Sequence, residues 1–131
     1  VNAGYGITIS GGYTYLSTID RQTDEELLRR PKDSGFFQIH WDTGRGVEMD
    51  LNATFVGERR DIDPLTFVSK KNPGFEKLDF AMRWKLLADQ YGFRELYATF
   101  RVDNLLNENY EEALGFPAPP RTFLAGIMAK F

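Results

Sequence analysis

Apolar and polar side chains alternate along much of this chain with a period of two, the spacing of a strand whose two faces meet different surroundings. Six stretches carry the pattern. In 6–16, Ile7, Ile9, Gly11, Tyr13 and Tyr15 oppose Thr8, Ser10, Gly12 and Thr14. In 36–42, Phe37, Ile39 and Trp41 oppose Gln38, His40 and Asp42. In 46–57, Val47, Met49, Leu51, Ala53 and Phe55 oppose Glu48, Asp50, Asn52 and Thr54. In 78–86, Leu78, Phe80, Met82, Trp84 and Leu86 oppose Asp79, Ala81, Arg83 and Lys85. In 96–103, Leu96, Ala98, Phe100 and Val102 oppose Tyr97, Thr99, Arg101 and Asp103. In 121–131, Phe123, Ala125, Ile127, Ala129 and Phe131 oppose Thr122, Leu124, Gly126, Met128 and Lys130. Helical spacing is poor by comparison; only the charged run DEELLRR at 24–30 allows a turn or two of helix.

The links between these stretches alternate in length. Residues 42–46 and 87–92 are short and turn-like, whereas 20–35, 58–75 and 107–120 are long. The expected fold is therefore all-β: an antiparallel up-and-down meander of about six strands with one trimmed rim and one decorated rim. Outer-membrane barrels are built with short periplasmic turns and long external loops.

Which face meets water does not follow from alternation alone. The six apolar faces carry no charge, while Glu48, Asp50, Asp79, Arg83, Lys85, Arg101, Asp103 and Lys130 share the other faces. Two readings fit. In a soluble lipocalin-like domain binding a small hydrophobic ligand, the apolar face points inward. In a membrane barrel it points to lipid and the polar face lines a wet lumen. Aromatic residues near the ends of the apolar faces, among them Trp41, Phe55, Trp84 and Phe131, suit the girdles of a membrane barrel. So do small residues such as Ala53, Ala98 and Ala125, around which lipid fills.

Composition narrows the classes further. Mean hydropathy is -0.40, and the longest apolar run, 123–129, is far short of the ~20 residues of a spanning helix. A spanning strand needs only ~9–11 residues. There is no cysteine, which excludes disulfides, thiolate metal sites and cysteine nucleophiles. A net charge of -3 argues against a nucleic-acid partner held by a basic face. The chain begins at Val1 with neither initiator Met nor signal peptide, so a processed or excised piece of a longer protein is expected.

Specific residues add a resemblance. The run FRVDNLLNENY at 100–110, then GFPAPPRTF at 115–123 and a strand ending at Phe131, resembles the C-terminus of TonB-dependent outer-membrane receptors. Leu106, Asn107 and Pro120 stand where that family often has Phe, Asp and Gly. Upstream, LLRRPKDS at 27–34 is similar to a family segment rich in Pro and Arg, with Leu28 and Asp33 departing from it, and YTYL at 13–16 resembles the strand before it.

The resemblance implies that residues 1–131 are the last six strands of a 22-stranded transmembrane barrel. The family takes up scarce nutrients such as iron–siderophore complexes, haem or cobalamin. The plug domain, which contacts TonB, is not within these residues. The implied partners are outer-membrane lipid, the rest of the barrel and its plug, TonB through that plug, and the barrel assembly machinery. Phe123, Ile127, Ala129 and Phe131 match the pattern of the C-terminal insertion signal. The implied role is transport, not catalysis, with no cofactor and with residence in the bacterial outer membrane. Six strands alone leave two edges, so self-association of the fragment is also expected.

Candidate chemistry is sparse. Arg29 and Arg30, in a long loop, are candidate contacts for an anionic chelate; the competing reading is ion pairing with Asp24, Glu25 or Glu26. Tyr110 and Phe116 are candidates to stack on a ligand, against simple loop packing. The acids of 58–63 suggest a ligand or metal site, against a solvated strand extension. His40 has no His or Cys companion and is expected to make a lumen hydrogen bond. The charges on the polar faces are expected to pair across strands. No nucleophile–base pair, phosphate loop or zinc spacing is present.

Overall fold

A computed structural model describes residues 6–22, 24–90 and 92–131. Its strands are β1 (Ile7–Tyr15), β2 (Ile19–Asp20), β3 (Glu25–Glu26), β4 (Asp33–Asp42), β5 (Val47–Val56), β6 (Arg59–Ile62), β7 (Ser69–Asn72), β8 (Phe75–Gln90), β9 (Phe93–Asp103), β10 (Glu111–Ala113), β11 (Phe116–Pro117) and β12 (Thr122–Lys130). The six long strands form one antiparallel sheet in the order β1-β4-β5-β8-β9-β12. Each long strand pairs with its neighbour in the meander, as the alternation predicts. The pairs β2–β3, β6–β7 and β10–β11 are small hairpins within the three long connections. Those connections leave one end of the sheet. The short turns leave the other, with Gly44 and Gly46 at positive φ in the turn between β4 and β5.

The register carries the apolar faces across the whole sheet. Ile9, Ile39, Leu51, Phe80, Val102 and Phe123 stand opposite one another in one continuous row. A parallel row runs Ile7, Trp41, Met49, Met82, Phe100 and Ala125. Between them lies a polar-face row of Thr8, His40, Asp50, Ala81, Arg101 and Leu124. A slip of one residue would carry Glu48 and Asp50 to the apolar side, so each strand is held in place by its pattern. Where β1 and β4 lack side chains, aromatic rings opposite fill in. Phe37 stands across from Gly11, Phe36 from Gly12 and Tyr13 from Gly35, with a Phe36 ring atom 2.7 Å from where a Gly12 Cβ would sit.

Burial is inverted relative to a water-soluble domain. Among the described residues the apolar ones below one-tenth exposure are Tyr97 and Val102, whereas Arg59, Asp61, Asn72 and Asn104 are all buried. Trp41, Trp84, Phe123 and Ile127 lie exposed on the apolar face, Ile127 at 76%. Soluble monomers rarely display so continuous an apolar wall. The lipocalin-like reading requires these side chains to point into a closed barrel. Here the sheet is open, with β1 and β12 at its two edges.

Several expectations change. Residues 24–30 form no helix: Glu25–Glu26 pair with Ile19–Asp20 as a hairpin, and Asp24 and Arg29 take positive φ, which a helix does not accept. The link at 87–92 is much shorter than expected, because β8 runs to Gln90 and β9 starts at Phe93. A register shift between Lys85 and Leu87 brings Leu87 opposite Leu96, so apolar alternation in β8 steps by one at Leu86. Strand lengthening at the loop end also adds Asp33 and Glu76 to the apolar side, opposite Tyr15 and Phe55.

Candidate functional site

The polar face carries a lattice of charge pairs between strands. Arg83 donates to Glu48 at 2.5 Å and His40 Nδ1 lies 2.8 Å from Asp50, both between directly opposed residues. At the short-turn end, Glu95 accepts from Lys85 at 3.0 Å and Lys130 at 2.7 Å. Arg83, Lys85 and Lys130 all lie within 5.6 Å of the Tyr97 ring centroid, which accounts for the burial of that tyrosine. Arg101 and Asp103 instead pair along their own strand at 2.7 Å. His40 makes the hydrogen bond expected of it. Among the described residues no group of three or more His, Cys, Asp or Glu is placed to hold a metal ion.

The more distinctive structure lies at the other end, where the three long connections dock on one another. Asp61 is at the centre with 0% exposure. Its carboxylate accepts from the Leu114 backbone N–H at 2.7 Å, from Arg29 Nε at 2.8 Å and from the Ile62 N–H at 2.8 Å. Desolvation pushes this carboxyl up, but those donors outweigh it and hold the pKa at about 2. Arg59, beside it, is buried and donates to the carbonyls of Pro73, Glu111 and Glu112. Burial lowers the Arg59 pKa, while the nearby Asp61 and Glu112 charges oppose that fall. Asn72 donates to the same Glu111 carbonyl at 3.1 Å. Gly115, at φ +83, lets the third connection approach Pro64 so closely that a Cβ would sit 2.5 Å from the proline Cγ.

Asn104 organises the third connection. Its side chain donates to Glu108 O and Pro119 O and accepts from the Glu108 N–H, while its own N–H donates to Asp79. Asn104 and Asn107 both take positive φ, which asparagine tolerates better than most residues. The two asparagines in the run DNLLN are therefore the pivots at which the chain leaves β9. Asn107 Oδ1 receives the Arg121 N–H at 3.0 Å, which ties the exit from β9 to the entry of β12.

Under the docked loops, against the polar face, lies a concavity of about 360 Å³ lined by Arg29, Arg59, Lys77, Phe75, Tyr110 and Glu112, with Thr54 and Val56 as part of its wall. Tyr110 stacks on Phe75 at 4.1 Å between centroids, and Arg59 sits 5.6 Å above the Phe75 ring. Burial raises the Tyr110 pKa, so its hydroxyl stays neutral. Cationic donors beside paired aromatic rings suit an anionic ligand with flat faces.

The predicted residues divide. Arg29 and Tyr110 meet at this concavity. Arg30 lines a different one of about 550 Å³ with Leu27, Leu28, Arg60, Ile62 and Phe67, and Phe116 is 63% exposed on the β10–β11 hairpin. The expected partners of Arg29 were wrong: it pairs with Asp61, while Arg60 takes Glu25 and Lys32 takes Glu26. The stretch 58–63 is neither an extension of β5 nor fully solvated: it carries β6 of the separate β6–β7 hairpin, with Arg59 and Asp61 buried. Asp61 is among the acids of 58–63 that the sequence singles out, whereas Arg59, Asn72 and Phe75 are site residues that sequence reasoning misses. Only the crowding of charge in RRDID gave a hint of them. Phe123, Ile127 and Ala129 project from the apolar side of β12, and Phe131 directly follows that strand.

An open antiparallel meander with an apolar face, a paired-charge face and docked loops at one end is a section of a β-barrel wall. Solved structures share this fold. The ferric-catecholate import receptor Fiu of Escherichia coli K12 matches with a TM-score of 0.73 at 19% identity, over 96% of this chain and 19% of that one. The ferric enterobactin receptor PfeA of Pseudomonas aeruginosa, in a mutant form, matches with 0.76 at 17% identity, over 100% of this chain and 21% of that one. A chain of the FpvAI–pyocin S2 complex matches with 0.73 at 16% identity, over 93% of this chain and 17% of that one. The chain spans about a fifth of the length of these matches. No protein-family model matches it.

Proposed function

We propose that the chain is the C-terminal section of the barrel of a TonB-dependent outer-membrane receptor that takes up a scarce nutrient such as an iron–siderophore complex. The observation that carries this is the uncharged apolar row running unbroken from Ile9 to Phe123 across all six strands, exposed at its two ends, half-buried at Ile39, Leu51 and Phe80 and buried at Val102, beside exposed Trp41, Trp84 and Ile127 on the same face. Lipid is the surrounding that such a wall requires. The shared fold with import receptors supports the reading, and so does the order of the sequence motifs, which implies the C-terminal position. Edges β1 and β12 pair with the remaining strands, the polar face meets water and the plug, and TonB acts through that plug. Phe123, Ile127, Ala129 and Phe131 present the aromatic and aliphatic pattern read by the barrel assembly machinery. The 360 Å³ concavity, with Arg29 and Tyr110, contributes ligand contacts; Arg30 and Phe116 stand at the margin of that role. The section works as part of a transporter and performs no catalysis.

Fractionation of cells making the intact protein is the test. The expected result is recovery in the outer membrane, extraction only by detergent, and loss of uptake of an iron chelate on deletion. Recovery as a folded monomer without detergent would overturn the proposal.

A further inference from the structure

Three cations line the concavity under the docked loops, and they are not equally engaged. Lys77 is bound to Asp79 at 2.9 Å. Arg59 turns its terminal nitrogens to the carbonyls of Pro73, Glu111 and Glu112. Arg29 commits only Nε, to Asp61 at 2.8 Å, and among the described residues its terminal nitrogens make no hydrogen bond. Its side chain is 58% exposed. One part of this guanidinium is thus held by a buried carboxylate, while the rest keeps donors to offer. Arg29 also begins a relay across all three long connections. It lies in the first, Asp61 in the second and Leu114 in the third. Asp61 Oδ1 takes Arg29 Nε, and its Oδ2 takes the Leu114 N–H at 2.7 Å. The Arg29 N–H donates to the Arg60 carbonyl at 2.7 Å. Its φ of 58° is one that a residue with a side chain keeps only where its surroundings impose it. Docking therefore fixes Arg29 at both its backbone and its guanidinium.

We propose that Arg29 couples the concavity to the docking of the loops: an anion held by its terminal nitrogens tightens the docked arrangement, and docking in turn presents Arg29 to the anion. The inference rests on the concavity being a ligand site, as in the function proposed above. Among the described lining residues Glu112 is the one carboxylate beside three cations, so the site favours an anion. Undocked, Arg29 loses both Asp61 and the Arg60 carbonyl, and nothing then holds its guanidinium at the concavity. An anion that needs Arg29 in place binds the docked arrangement and stabilises it by mass action. The coupling is reciprocal, so weaker docking means weaker binding. Arginine suits the role because its planar fork serves two acceptors at once, whereas a lysine ammonium is a single point of charge.

The test is hydrogen exchange and calorimetric titration of the intact protein in detergent. The probe is isophthalate, a flat aromatic dianion, with neutral isophthalamide as its control. In the wild type, isophthalate at about ten times its dissociation constant should slow exchange at Leu114 and across 59–62 about tenfold. Isophthalamide should leave both unchanged. Arg29→Lys should still bind isophthalate, but the slowing should fall below about twofold, because one ammonium cannot hold Asp61 and the anion together. Asp61→Asn should weaken isophthalate binding about tenfold through looser docking. Arg30→Lys, in the separate concavity, should behave as wild type. Bound isophthalate with unchanged exchange in the wild type, full slowing in Arg29→Lys, or undiminished affinity in Asp61→Asn would each overturn the coupling and leave the concavity a ligand site. If Arg29→Lys binds too weakly to saturate, the affinity of Asp61→Asn decides alone. Isophthalate that fails to bind the wild type, or binds no better than isophthalamide, would overturn the concavity as an anion site.

Discussion

Asp61 draws donors from three stretches of chain onto one carboxylate with no exposed surface. Replacing it by Asn keeps the shape but removes the charge and turns one acceptor into a donor facing donors. In the intact protein, Asp61→Asn should cost about 2 kcal/mol of local stability. Hydrogen exchange should then rise together in 24–30, 59–62 and 111–115. Protection lost in only one of them would contradict the docked arrangement. Asp63 is a contrast, since it accepts from Leu65, Thr66 and Lys70 within its own turn. Asp63→Asn should loosen that turn alone. The pH dependence has a definite sign. Asp61 and Asp63 are both lowered from 3.8 to about 2, so their stabilisation is present above the ordinary carboxyl range. It is lost as pH falls through about 2. Loop protection, corrected for intrinsic exchange rates, should decline over that interval in the wild type; in Asp61→Asn it should stay flat at 24–30 and 111–115, while the Asp63 turn keeps its own decline. At Asn104, Ala leaves two carbonyls and the Glu108 N–H without their partner and should cost about 1–3 kcal/mol, read as lost protection at 105–110.

At the scale of the strand, the two faces should answer differently to the same charge. Leu51→Arg puts a cation in the middle of the apolar row and should destabilise the protein in lipid vesicles by about 2–4 kcal/mol. Asn52→Arg, one residue on, faces the polar side and should cost much less. Equal costs, from urea titration in vesicles, would count against the assignment of faces. These strands were legible because alternation survives in each of them: the stretches from Val47 to Phe55 and from Leu78 to Trp84 need no tertiary information. Their outer ends were not legible. Asp33, Ser34 and Glu76 read as loop by polarity, yet they extend the ladder because their neighbours across the sheet supply partners. The extra residue near Leu86 was hidden for a similar reason, as a register shift is a property of a pair of strands. The site was half legible. Arg29 and Tyr110 are legible from residue type and loop position. Arg59, Asp61 and Asn72 gain their place largely from Glu111, Glu112 and Leu114, about forty or more residues away along the chain.

For the molecule as a whole, the sheet's two edges matter most. Among the described residues β1 and β12 each pair with one long strand only, as edge strands do, and six strands fall short of the roughly eight in the smallest membrane barrels. The 131-residue chain refolded alone in detergent should therefore associate with copies of itself through these edges. A purely monomeric mass would contradict this. In the intact protein the same edges are taken by neighbouring strands, and the wall faces lipid. Spin labels placed singly at Asp50, Leu51, Asn52 and Ala53 of the intact protein in bilayers test this most directly. The account predicts that oxygen, which partitions into lipid, relaxes the labels at Leu51 and Ala53, while those at Asp50 and Asn52 are shielded from it. The opposite alternation, with Leu51 and Ala53 shielded and Asp50 and Asn52 facing lipid, or no alternation at all, would contradict it.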